Sequence, residues 1–234
     1  MIDFHSHILP RMDDGSHSSK ESILMLRSLS GQGVKKVFAT PHFYANSESV
    51  DVFLERRRCS YERIKSKMTV GMPEIVLGAE VKYYSGITHL DKLDSLCIEG
   101  SRLLLLEMPE SRWTEYTLRE VIEIQTERDI VPVIAHVERC IGYQDSKTVY
   151  RLLDSGVMMQ INASFLNGFF SRIKALNMLK NNQIHFIGSD CHNMSTRKPD
   201  LANFVKKLEG KVGEARVRKC MENAQRMLEN KEIN

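Results

Sequence analysis

Three observations predict an α/β protein with a metal site at the C-terminal ends of parallel strands. Seven short apolar runs recur along the 234 residues, each separated from the next by a charged, amphipathic stretch, the pattern of βα units feeding a parallel sheet. Almost every run ends in a residue able to bind a metal, and in an α/β barrel that edge is where sites are built. The glycine-rich dinucleotide fingerprint does not follow the first run, which favours a distorted (βα)7 TIM-like barrel over an open doubly wound sheet.

The elements follow in order. A strand at 1–4 runs into His5 and His7, and the loop at 8–18 carries Asp13-Asp14-Gly15. Ser18 sits three residues before Glu21, a capping-box spacing that opens a helix ending near Gly33. The strand at 36–40 leads to His42, and a helix at 51–68 follows with Phe53, Leu54, Tyr61, Ile64 and Met68 apolar. A strand at 75–80 ends at Glu80 and precedes a short helix near 88–96. The strand at 103–107 ends at Glu107, and the helix at 114–128 offers Leu118, Val121, Ile122 and Gln125 as its core-facing stripe. The strand at 131–136 stops at His136 before a helix at 146–155. The strand at 157–162 ends at Asn162, and the next helix, 171–181, is stopped by the Asn181-Asn182 turn. A strand at 184–190 delivers Asp190 and His192, and helices at 200–208 and 214–229 close the chain.

The totals fit one soluble domain over 1–234, with 42% hydrophobic and 27% charged residues. A net charge of +3 does not argue for nucleic acid. Arg56-Arg57-Arg58 shares its helix with Glu55 and Glu62, which reads as a solvated face. Five scattered cysteines without a CxxC spacing suggest reduced thiols in a reducing compartment. No signal peptide and no apolar run near the ~20 residues of a membrane span is visible, so the expectation is a cytoplasmic protein without membrane insertion.

His5-Ser6-His7 places two imidazoles on one side of an extended strand, about 7 Å apart, where they can grip a divalent ion. Glu80, Glu107, His136, Asp190 and His192 occupy equivalent strand ends, and charged groups there are costly unless paired or metal-bound. Histidine and carboxylate without thiolate favour manganese, zinc or iron over copper or a sulfur cluster. The set is too large for one ion and suits two or three sharing a bridging carboxylate. Closely spaced metals clamp the attacking and leaving oxygens of an in-line displacement, so a phosphate ester is the natural substrate class.

His5-Ser6-His7 with Asp13-Asp14-Gly15, Thr40-Pro41-His42, Gly78-Ala79-Glu80, Leu106-Glu107-Met108-Pro109, Ala135-His136-Val137-Glu138-Arg139 and Gly188-Ser189-Asp190-Cys191-His192 resemble the motifs of the PHP (polymerase and histidinol phosphatase) superfamily. More narrowly, they resemble its bacterial protein-tyrosine phosphatases of capsule and exopolysaccharide biosynthesis. The ordered match covers residues 1 to about 228. It implies a distorted seven-stranded PHP-type barrel holding three ions, usually manganese (Mn2+), with Zn2+ or Fe2+ as alternatives. The first ion would take His5, His7, Glu80 and Asp190, with Glu80 bridging to a second held also by Glu107 and His136. The third would take Asp14, His42 and His192. Arg139 and Arg197 stand where that branch carries arginines, each a bidentate clamp for phosphate oxygens. The implied reaction removes phosphate from protein tyrosine by direct attack of a metal-bridging hydroxide, without a phosphoenzyme. The implied partner is a bacterial tyrosine kinase with a tyrosine-rich C-terminal tail. Alternatives are a small-molecule phosphomonoesterase, such as one acting on histidinol phosphate, and a catalytically silent metal-binding module.

Other residues invite plainer readings. His17, His89 and His185 are surface or capping groups. Cys191 and Arg197 satisfy a CxxxxxR spacing, but the intervening loop lacks glycines to present N–H groups to phosphate, so the match reads as accidental. Phe43, Tyr44 and Phe165 either flank an aromatic phosphoester or pack the rim.

Overall fold

The structure is a computed structural model that describes residues 1–163 and 170–229. Its strands are β1 (Ile2–Ser6), β2 (Lys36–Ala39), β3 (His42–Phe43), β4 (Glu74–Leu77), β5 (Glu80–Lys82), β6 (Leu103–Glu107), β7 (Val131–Ile134), β8 (Met158–Asn162) and β9 (Phe186–Gly188). All named pairings are parallel, in the orders β1-β2-β4 and β3-β5-β6-β7-β8-β9. The sheet curls until its ends meet: the Asp190 N–H donates to the His5 carbonyl at 2.8 Å and the His7 N–H to the Cys191 carbonyl at 2.9 Å.

The predicted strand at 75–80 is interrupted, and the one at 36–40 is continued by a short further strand after a break. Pro41 lacks an N–H for the ladder, so the run from Lys36 breaks into β2 and β3. The run from Glu74 breaks at Gly78, where an added Cβ would lie 3.1 Å from the Ile98 side chain. Beyond the breaks His42 and Glu80 fall opposite each other in register.

Alternation sorts the apolar side chains into two layers. Leu103 and Leu105 join Phe4, Phe38, Val133 and Phe186 in the inner cluster, whereas Leu104 and Leu106 face the helices. Phe4 stacks on Phe186 with centroids 4.0 Å apart. The helices are α1 (Ser19–Gly31), α2 (Val50–Lys65), α3 (Glu115–Arg128), α4 (Val137–Cys140), α5 (Ser146–Asp154), α6 (Phe170–Lys180), α7 (Leu201–Val212) and α8 (Glu214–Leu228). Ala224, Met227 and Leu228 of α8 pack onto the inner cluster. Ser18, Ser49, Thr114 and Asp145 each cap a helix by accepting a backbone N–H.

Three expectations change. The helix predicted near 88–96 is instead two 3₁₀ turns, Ile87–His89 and Leu93–Leu96, because Lys92 between them takes a left-handed φ of 59°. In α3 the buried stripe is Leu118, Val121 and Ile124, with Ile122 and Gln125 only partly covered. Glu120 is buried there because the Tyr83 hydroxyl and the Gly86 N–H both donate to it at 2.6 Å. The Glu21 carboxylate accepts the His17 N–H instead of closing a full capping box.

The Arg56–Arg58 cluster binds its own protein: Arg56 pairs with Glu48, Arg57 donates to the Gly78 carbonyl and Arg58 pairs with Glu55. All five cysteines are free. No described helix is long and apolar enough to cross a membrane.

His17 and His89 are exposed, but His185 is structural: its Nδ1 accepts the Met159 N–H at 3.0 Å. Burial, then the charge of Lys219, pushes its pKa down to about 4 from 6.5. The unfolded chain therefore binds this proton more readily. The contribution is complete above pH 6.5 and is lost as pH falls toward 4. About 2 kcal/mol should go by pH 5. Urea unfolding at pH 7.5 and 5 should show His185→Gln losing less stability than wild type; equal losses would reject the assignment.

Candidate metal centre

The nine histidine and carboxylate candidates meet at the C-terminal edge of the curled sheet. His5 and His7 leave β1 on one side, with their Nε2 atoms 3.1 Å apart. Glu80 lies between the two halves of the cluster. Its Oε2 is 3.1 Å from His5 Nε2, 3.2 Å from His7 Nε2 and 3.1 Å from His42 Nδ1, while its Oε1 is 2.7 Å from His136 Nε2. Asp190 Oδ1 faces the histidines, 3.6 Å from His5, 3.5 Å from His7 and 3.5 Å from His192. Asp14 Oδ1 stands 3.4 Å from His192 Nε2 and 3.7 Å from His42 Nε2, and Glu107 Oε2 lies 3.9 Å from His42 Nδ1.

Local backbone choices make these approaches possible. His136 and Asp190 hold φ values of 31° and 52°, a strained conformation for residues with a Cβ, of the kind that concentrates at functional sites. Gly15 and Gly188 let neighbours close in. A Cβ at Gly15 would lie 2.4 Å from the His7 carbonyl oxygen, and one at Gly188 would lie 2.6 Å from the His5 Cβ.

Several supporting residues escape the sequence reading. Asp13 accepts from His7 Nδ1 at 2.7 Å and from the His42 N–H at 2.8 Å, fixing the tautomer and tilt of one ring and the backbone of another. Gln160 Oε1 takes the His136 N–H at 2.7 Å. Asp3, inside the first apolar run, receives the Ser189 N–H and hydroxyl at 2.7 and 2.6 Å and so anchors the loop that carries Asp190. Burial pushes its carboxyl up to about 6. Lys82 Nζ lies 3.0 Å from Glu107 Oε1.

Electrostatics separate the histidines. Burial opposes charge on Glu80 and Asp190, yet the surrounding histidines hold both carboxyls well below their usual range. Burial also opposes charge on His7, but Asp13 raises its pKa well above the ordinary value. Burial lowers the pKa of His42, and lowers that of His192 to about 4 with His7 adding to the shift, so both rings are neutral at pH 7.

The donor set fits divalent cations. His5, His7 and Asp190; His42, Glu80 and Glu107; and His7, Asp14, His42 and His192 form three groups whose ligand atoms all lie within 4.8 Å of one another. His42 Nδ1 and His192 Nε2 are buried with no hydrogen-bond partner among the described residues. Unpaired buried lone pairs are costly, and a cation satisfies them. Ligand imidazoles must be neutral, so ions seated here displace the protons otherwise favoured on His5 and His7. The grouping differs from the one the motifs imply: His7 also joins Asp14, His42 and His192, Glu80 groups with His42 and Glu107 instead of with His5, His7 and Asp190, and His136 falls in none of the three groups.

Both arginines converge on the other oxygen of Asp190. Arg139 Nη2 and Arg197 Nη2 donate to Oδ2 at 2.7 and 2.6 Å, and Asn162 Nδ2 donates there at 2.6 Å. Neither arginine pairs with Glu138 or Asp200 among the described ion pairs. Glu138 itself is buried and pushed up to about 8, neutral at pH 7.

Cys191 is 1% exposed and packs in the core, and burial followed by the charge of Asp3 raises its thiol well above the ordinary value. A thiolate is required for attack. Cys191→Ser is therefore expected to hold turnover within roughly fivefold, whereas removal of a covalent nucleophile costs on the order of 10⁶. Steady-state assay at matched metal content decides between them. Of the aromatic candidates, Phe43 is fully buried against Phe53, and Tyr44 is 39% exposed beside His42, with ring centroids 5.4 Å apart. Phe165 lies outside the described residues.

Comparison with known proteins points one way. A model of the family described as capsular polysaccharide synthesis, CpsB/CapC, matches residues 1–229. The tyrosine-protein phosphatase YwqE of Bacillus subtilis is 32% identical over 239 residues, covering 100% of this chain and 93% of its own. The putative tyrosine-protein phosphatase CapC of Staphylococcus aureus is 30% identical, with the same coverage of 100% and 93%. A structure from the crystallographic work on YwqE of Bacillus subtilis and CpsB of Streptococcus pneumoniae, described as unique metal-dependent tyrosine phosphatases, superposes with a TM-score of 0.86. It shows 28% identity over 100% of this chain and 96% of the other. Histidinol phosphate phosphatase of Lactococcus lactis, at 13% identity and a TM-score of 0.56 over 91% and 93%, shares the fold alone.

Proposed function

The chain belongs to the CpsB/CapC family of capsular polysaccharide synthesis, and from that premise we propose that it is a metal-dependent protein-tyrosine phosphatase. One observation carries the reading: the two oxygens of buried Glu80 face different histidines, Oε2 toward His5, His7 and His42 and Oε1 toward His136. A carboxylate so placed would be shared between two ions. Reading each interrupted strand as one supports a seven-unit barrel, which we take as a single domain over 1–234.

The proposed ligand set is His5, His7, Glu80 and Asp190 for one ion, Glu80, Glu107 and His136 for a second, and Asp14, His42 and His192 for a third. Manganese is the ion assigned, with zinc or iron(II) compatible with the same donors. Bound ions would supply Lewis-acid polarisation of the phosphoryl oxygens and lower the pKa of water. The protein's own residues orient and complete the centre. Asp13 holds the His7 ring so that Nε2 faces inward. Arg139 and Arg197 are held at the rim by Asp190; from there they would reach the equatorial oxygens of the phosphoryl group, where preorganised donors stabilise developing charge. No protein nucleophile takes part. The substrate assigned is a phosphotyrosine protein in the cytoplasm, specifically a bacterial tyrosine kinase with a tyrosine-rich C-terminal tail.

Turnover of a phosphotyrosine peptide and of histidinol phosphate tests this, each with manganese and after chelation. Peptide hydrolysis should dominate, fall by roughly 10³ or more on chelation, and return with the metal. Equal inertness toward both substrates would refute the enzymatic reading, and preference for histidinol phosphate would refute the protein substrate.

A further inference from the structure

A groove lies beside the metal centre, lined by the segments that follow β3 and β5. Its inner end is made by residues that touch the candidate ligands: the Tyr44 ring lies beside His42, and Lys82 Nζ is 3.0 Å from Glu107. From there it runs past Tyr83 and Tyr84 to Leu90, enclosing about 580 Å³ with mostly apolar walls. The Tyr83 hydroxyl is tied to buried Glu120, so this wall is set before anything binds. A cavity of this size is in the range that holds a ligand of several groups, more than one phosphorylated ring at the metal centre requires.

Through Ala45, Tyr84 and Leu90 the groove opens into a second hollow, edged by Glu48, Asp51, Asp91 and Lys92. Lys92 is committed to Asp51 at 2.6 Å. Glu48 gives Oε1 to Arg56, but its Oε2 is buried with no hydrogen-bond partner, and Asp91 has no ion pair among the described residues. The far wing thus presents an exposed acid at Asp91 with no ion pair among the described residues, complementary to a cationic donor.

We propose that this groove binds the protein segment flanking the phosphotyrosine, with an aliphatic or aromatic side chain against Tyr44, Tyr84 and Leu90 and a lysine or arginine reaching Asp91. This rests on the tyrosine-phosphatase reading and adds the sequence that the enzyme selects. Backbone pairing along an extended peptide sets affinity loosely, whereas pockets for its side chains give specificity. Small aryl phosphates occupy the metal centre without entering the groove.

The test compares kcat/KM for phosphotyrosine peptides and for p-nitrophenyl phosphate. With wild-type enzyme, replacing a leucine beside the phosphotyrosine by serine should lower peptide kcat/KM about tenfold. Replacing a lysine further out by glutamate should lower it about two- to fivefold, less at high salt. Tyr84→Ala should lower the ratio of peptide to p-nitrophenyl phosphate kcat/KM about tenfold and erase the leucine preference. Asp91→Asn should erase the lysine preference. Normal hydrolysis with no dependence on flanking sequence would overturn the groove while leaving the phosphatase reading intact. Loss of both substrates in wild type with metal present would overturn both.

Discussion

Glutamine in place of Glu80 is expected to remove more than one divalent ion per chain and to lower turnover by roughly 10³ or more. The side chain is 1% exposed and keeps its shape in the variant, so the fold should survive. What changes is charge and ligand strength. Among the described residues Glu80 is the one carboxylate whose oxygens reach both His5 with His7 and His136, and a neutral amide is a poor partner for two cations at once. The change also removes the anion that lies 3.1 and 3.2 Å from His5 and His7, so the two rings repel more strongly when both are protonated. Elemental analysis per chain, read beside steady-state turnover, checks the prediction. Full metal content in the variant would reject the bridging assignment, and loss of a single ion would confine Glu80 to one site.

The architecture and the candidate ligands were legible for the same reason. A buried parallel strand reads as an apolar run, and a titratable residue at its end has no place in a core unless something pairs with it. That reasoning located His5, His7, His42, Glu80, Glu107, His136, Asp190 and His192 at one edge of the sheet. It could not by itself divide labour between Asp13 and Asp14, since adjacent carboxylates in a loop look alike until their partners are known; the family resemblance alone singles out Asp14. Asp13 turns out to brace His7 and His42, whereas Asp14 faces His192. Asp3 and Gln160 carried a signal that went unused: each is a polar residue inside an otherwise apolar strand, hence one that must be hydrogen-bonded. The helix expected near 88–96 failed because a left-handed turn at Lys92 has no reliable sequence mark. The groove from Tyr44 to Asp91 was equally hidden, since it depends on two loops, distant in sequence, lying side by side.

Alanine in place of Arg139 should be the second most damaging change, with turnover lowered on the order of 10²–10³ by analogy with the loss of one oxyanion donor. Arg139 and Arg197 share the outer oxygen of Asp190 while its inner oxygen faces the histidines. This carboxylate therefore fixes where both guanidinium groups stand relative to the metal centre. Arg139 is the better placed. It follows His136 through the single turn of α4 and is one-third exposed, whereas Arg197 is 38% exposed and held by a loop. Arg197→Ala should therefore lose less than Arg139→Ala. Arg139→Lys should recover little, because an ammonium cannot reproduce the planar fork that engages Asp190 and two phosphoryl oxygens together. The same geometry supplies the alternative to be tested. If Arg139 only steadies Asp190, Arg139→Ala will lose metal along with turnover and KM for p-nitrophenyl phosphate will stay constant. A clamp predicts intact metal, a fall in kcat and weaker inhibition by inorganic phosphate. Near wild-type turnover at full metal content would eliminate both roles.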